Sequence, residues 1–85
     1  MRHHATGSFW RAYNKLPEHV RQRADESFEL LKSDPKHPSL HFKNIGRFWS
    51  ARVGASWRTL AVRDGDDFIW WWIGSHAEYD KLLKP

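Results

Sequence analysis

Eighty-five residues supply one hydrophobic core and exclude a second. The absence of cysteine excludes disulfides and thiolate metal sites, and suits a reducing cytoplasm. A net charge of +4 with a pI near 9.8 admits an anionic partner such as nucleic acid or an acidic protein segment, and no apolar run reaches the length of a membrane span.

The whole chain, residues 1–85, reads as a single soluble domain without repeats, linkers or low-complexity tracts. Residues 1–8 offer no periodicity and are expected to be irregular, with His3 and His4 on a solvated terminus. Phe9 to Leu16 predicts a short helical turn ended by Pro17. A longer helix follows, because proline is tolerated at a first helical position where its missing amide removes nothing. Its apolar stripe is Val20, Ala24, Phe28 and Leu31, and its charges (Arg21, Arg23, Asp25, Glu26, Glu29) occupy the solvated faces. Asp34-Pro35 and His37-Pro38-Ser39 then break the helix.

From Leu40 the period changes to two. Leu40–Ile45, Phe48–Val53, Trp57–Arg63 and Asp67–Ile73 predict four strands. They are joined by Gly46-Arg47, Gly54-Ala55-Ser56 and Asp64-Gly65-Asp66, turns short enough to impose antiparallel order. The last of these strands is apolar on both faces and so belongs inside the sheet. Strand alternation sends Trp70 and Trp72 to one face and Trp71 to the other. After it, Ser75 and Glu78 form a Ser-x-x-Glu capping box, which starts a short C-terminal helix with His76 at its first position and Tyr79 on the same side. The predicted architecture is α+β: two N-terminal helices packed on an antiparallel four-stranded sheet, with a short C-terminal helix.

Chemistry concentrates at the end of that sheet. Arg52 and Arg58 fall roughly opposite one another on adjacent strands. Mid-strand arginine demands a carboxylate, a phosphate or open water. Pairing with Asp64 or Asp66 would make the two residues ordinary surface charge; otherwise they form a bidentate clamp for phosphate, with Lys43 on the next strand adding a third cation. His76 can take and return a proton, and Asp80 one helical turn later can orient its ring. Tyr79 has the spacing of a core residue with Leu82 and Leu83 as much as that of a functional one. His19, His37 and His41 are too scattered for zinc, and no phosphate-binding glycine loop or serine elbow is present.

Leu16-Pro17, Asp34-Pro35 with His37-Pro38-Ser39-Leu40, Ser50-Ala-Arg52-Val53, Trp57-Arg58 and Ile73-Gly-Ser-His76-Ala-Glu-Tyr79-Asp80 follow one another in an order that resembles the RelE/ParE toxin superfamily, and its RelE/HigB-type branch above all. The resemblance spans Phe9 to Leu83. It implies the toxin of a type II toxin–antitoxin system, a cytoplasmic, ribosome-dependent mRNA endonuclease that needs no metal or cofactor and leaves a 2′,3′-cyclic phosphate. Lys43, Arg52 and Arg58 would hold and neutralise the phosphate. His76 would be the acid–base or charge-stabilising residue, and Tyr79 would stack on or deprotonate the substrate. The implied partners are a cognate antitoxin and mRNA on the ribosome. Members of the superfamily open with a strand that residues 1–8 do not suggest, and its loss would expose a sheet edge to a partner or a second copy. The alternatives within the superfamily are a ParE-like toxin that binds DNA gyrase and an inactive homologue that only binds antitoxin.

Overall fold

The computed structural model describes residues 1–84. Its elements are β1 (Arg2–Ala5), α1 (Gly7–Asn14), α2 (Glu18–Ser33), β2 (Lys43–Ile45), β3 (Phe48–Val53), β4 (Trp57–Asp64), β5 (Asp67–Ser75) and α3 (His76–Leu83), with a 3-10 turn at Pro38–Leu40 before β2. The sheet has five strands in the order β1-β5-β4-β3-β2. Four form the antiparallel meander expected from the alternation, and β5 lies inside the sheet as its two apolar faces require.

The first eight residues correct the sequence reading. Arg2–Ala5 form a strand that runs parallel to β5, pairing Arg2 with Asp67 and Ala5 with Trp70. The β5 edge expected to stand open is therefore covered along Asp67–Trp70, and β1 becomes the outer strand on that side. His3 is not solvated: it accepts a hydrogen bond from Trp70 Nε1 at 3.0 Å and stacks at 5.7 Å on Phe68. Nothing local marks this strand, because its partner lies 65 residues away.

Each other element has a local cause. The Thr6 side chain caps α1 by accepting from the Phe9 amide at 3.2 Å, so the helix begins two residues earlier than its apolar residues suggest. Pro17 stands at the N-cap of α2, and Val20, Ala24 and Leu31 are buried on the stripe that the spacing predicts. Gly46 and Gly65 adopt φ near +60° as the first residues of two-residue hairpin loops, a backbone state that glycine enters without a Cβ penalty.

The core lies between α1, α2 and one face of the sheet, centred on Trp70, Phe68, Ala61, Ala51 and Val53. Trp70 is 1% exposed. A β-bulge interrupts the β4–β5 ladder: Ala61 faces Trp70 while Leu60 faces Trp72, leaving Trp71 as the extra residue. The bulge overturns the alternation expected for the tryptophan run. Trp70 enters the core and the Trp71 ring meets Phe48 at 5.3 Å on the opposite face as expected, but Trp72, paired with Leu60, joins Trp71 there instead of Trp70. Leu60 and Tyr79 are buried outside the main core, where α3 folds over that second face.

Candidate phosphate-binding site

The second sheet face carries the candidate chemistry. Arg52 and Arg58 are directly paired across β3 and β4, with Arg58 paired in turn to Gly74 on β5. Lys43 is opposite Ser50, two residues along β3 from Arg52, and so shares the face. Two like charges directly opposite one another destabilise a sheet unless something anionic lies between them. Among the described residues neither arginine has a carboxylate within 4.0 Å; Asp66 and Asp67 pair instead with the N-terminal end of the chain. The surface-pairing reading with Asp64 or Asp66 is thereby set aside.

Backbone carbonyls hold the two guanidinium groups. Arg52 Nε donates to the Gly54 carbonyl at 2.9 Å, and Arg58 Nη1 donates to the Trp57 carbonyl at 2.8 Å. Each keeps unused N–H donors of its planar fork. Burial, and then the neighbouring Arg52 charge, lower the Arg58 pKa from its usual value; Tyr79 and Asp80 pull it back up. Arginine nonetheless stays cationic. α3 packs against β4 and β5, the strands that carry Arg58 and its pairing partner Gly74.

The capping box explains how. Ser75 Oγ accepts from the Glu78 amide at 3.2 Å while the Glu78 carboxylate accepts from the Ser75 amide at 3.1 Å. The His76 amide donates to the Ser56 carbonyl at 2.8 Å, tying the start of α3 to the β3–β4 turn. His76 Nδ1 lies 3.1 Å from Asp80 Oδ2, and its ring stands 5.8 Å from that of Tyr79. The carboxylate stands within ion-pair distance of Nδ1, and Nε2 has no partner among the described residues. Tyr79 is buried yet outside the main core, with its hydroxyl unbonded among the described residues. Gly74 has a steric reason: a Cβ there would come within 2.9 Å of Cη2 of the Trp72 indole, which lies over the strand.

Two members of the site escaped the sequence. His41 adopts a left-handed φ of 44° at the end of the 3-10 turn and accepts a hydrogen bond from Arg52 Nη1 at 3.3 Å. Trp72 reaches this face only because of the bulge. Neither leaves a trace in residue spacing, although a histidine just after Pro-Ser-Leu is a reasonable C-cap.

The ParE-like toxin domain family matches residues 18–81. The chain belongs to that family, within the RelE/ParE toxin superfamily. A chain of the RelB–RelE antitoxin–toxin complex from Methanococcus jannaschii superposes with a TM-score of 0.73 at 18% identity, covering 95% of this chain and 99% of that one. YafQ from E. coli strain BL21(DE3) gives 0.69 at 14% identity, with 93% and 98% covered. The isolated E. coli RelE toxin gives 0.63 at 10% identity, with 98% of each chain covered. No curated relative matches by sequence. At these identities the structures establish a shared fold, and family membership makes this a toxin-type domain. No helix among the described residues is long and apolar enough to cross a membrane.

Proposed function

We propose that this chain is the toxin of a type II toxin–antitoxin pair and acts as a metal-free, ribosome-dependent mRNA endonuclease. The observation that carries the reading is the Arg52–Arg58 pair: two opposed cations without a carboxylate partner among the described residues, on the sheet face toward the helix that begins with His76, whose ring pairs with Asp80 at 3.1 Å. An RNA phosphate answers that arrangement. The ribose 2′-hydroxyl attacks the adjacent phosphorus, the 5′-oxygen departs, and the products are a 2′,3′-cyclic phosphate and a 5′-hydroxyl. Arg52 and Arg58 neutralise the charge that grows on the phosphoryl oxygens, and Lys43 extends the positive field. His76 moves the proton through its free Nε2, with Asp80 as a positioning residue. Tyr79, only 8% exposed, supports α3 at the edge of the site instead of stacking on the nucleotide.

An antitoxin would quench this field by laying a carboxylate-bearing helix or strand across the arginines. Support comes from fold neighbours crystallised as antitoxin–toxin complexes, among them those from Methanococcus jannaschii and Mycobacterium tuberculosis. The cytoplasm is the compartment such a reaction requires. A second reading, a poison of DNA gyrase, draws on the ParE-like description of the matching family.

Primer extension on mRNA in a reconstituted translation reaction separates the readings. The wild type should cut within the A-site codon, and His76→Ala should cut at least about 100-fold more slowly. Absence of cuts at every protein concentration would overturn the nuclease reading. Double-strand breaks in plasmid DNA incubated with gyrase would then establish the second.

A further inference from the structure

The second sheet face continues beyond the arginines into an aromatic patch that the proposed chemistry does not use. Phe48 begins β3, four residues before Arg52 and on the same side of the strand. Its ring lies 5.3 Å from that of Trp71, the extra residue of the bulge, and the Arg47 guanidinium sits 5.1 Å above it. Both aromatic residues are partly exposed, and Arg47 and Lys43 are fully so. The fold makes poor use of Trp71: its Nε1–H is shielded from solvent yet has no acceptor among the described residues, an arrangement that costs stability. α1 and α2 lie on the other face and do not cover the patch.

We propose that Phe48, Trp71 and Arg47 form a stacking platform for a base of single-stranded RNA, and that Lys43 guides the backbone between platform and clamp. This rests on the nuclease reading of the same face. The distances favour it. Four residues of strand separate Phe48 from Arg52 by about 13 Å, the reach of about two nucleotides of an unstacked single strand. Lys43, opposite Ser50, stands halfway. Flat π-faces interleaved with cations suit any base, because stacking needs no particular hydrogen-bonding edge. The guanidinium plane of Arg47 can itself stack on the base it covers. A duplex would not fit this role, since its bases already stack on one another.

The test uses end-labelled mRNA in programmed ribosomes, with or without an abasic nucleotide two positions to either side of the cleaved bond. With wild-type protein, removing the base on one side should slow single-turnover cleavage about tenfold, and on the other side hardly at all. Trp71→Leu should lose about tenfold on intact mRNA and nothing more on the sensitive abasic one; Phe48→Leu should behave likewise. Indifference of wild-type cleavage to both abasic positions would overturn the platform without any variant having to fold. Leucine variants that cut intact mRNA as fast as wild type would overturn it too, and return the patch to a protein partner. If the wild type cuts no mRNA at all, the nuclease reading itself falls and takes the platform with it.

Discussion

One sheet presents two faces that differ in almost every physical respect, although their residues alternate along the same strands. The face toward α1 and α2 takes Trp70, Phe68, Ala61 and Ala51 and is closed to water. The face toward α3 takes Arg52, Arg58 and Lys43 and stays partly open. The first gains stability from apolar contact. The second gives some up, since two opposed arginines repel until an anion arrives. In a chain of 85 residues there is little core to spare, so Trp70, Trp49 and Trp57 matter: a few large side chains fill one face and leave the other partly open.

Three substitutions would break or sharpen that contrast. Trp70→Ala strikes the closed face and should cost about 3–5 kcal/mol, the usual range for emptying a large aromatic site. A urea titration would register it as a large fall in midpoint. Arg58→Met strikes the open face: cleavage should drop by about 100- to 1000-fold, while the urea midpoint stays level or rises as cross-strand repulsion is relieved. A marked loss of stability here would mean that the arginine pair is structural after all.

The smallest effect concerns pH. His3 sits where β1 meets both the core and solvent, and its pKa is lowered chiefly by burial, then by the N-terminal ammonium, Lys32 and His4. A lowered folded-state pKa means that the unfolded chain takes up the proton first. The His3 contribution is therefore complete above about pH 6.5, the unfolded value, and is lost as the pH falls through the lower folded one. His3→Phe should flatten the fall of melting temperature with pH below about 6.5. An unchanged slope would assign it to other groups.

The difference between the faces was legible wherever alternation was regular. Ser50 and Arg52 against Ala51 and Val53, the three hairpin turns, and the Ser75–Glu78 cap all follow from neighbours within a few residues. The same locality explains the recognition of His76, Arg52 and Arg58 as one constellation: short turns leave the strands no other pairing. Reading failed where partners are distant or the ladder is irregular. β1 is four polar-looking residues whose strand character exists only against β5. The bulge at Trp71 breaks the alternation and moves Trp72 to the face opposite Trp70. His41 joins the site through a single left-handed residue that spacing does not encode.

The parallel pairing of β1 with β5 also has a consequence in time. During synthesis Arg2 is made 65 residues before its partner Asp67, an interval of roughly 3 to 13 s at ordinary elongation rates. His76 and Tyr79 come later still. The arginine pair therefore waits as well: Arg52 and Arg58 precede His76 by 24 and 18 residues, so a nascent chain carries them for roughly 1 to 5 s before the imidazole can join them.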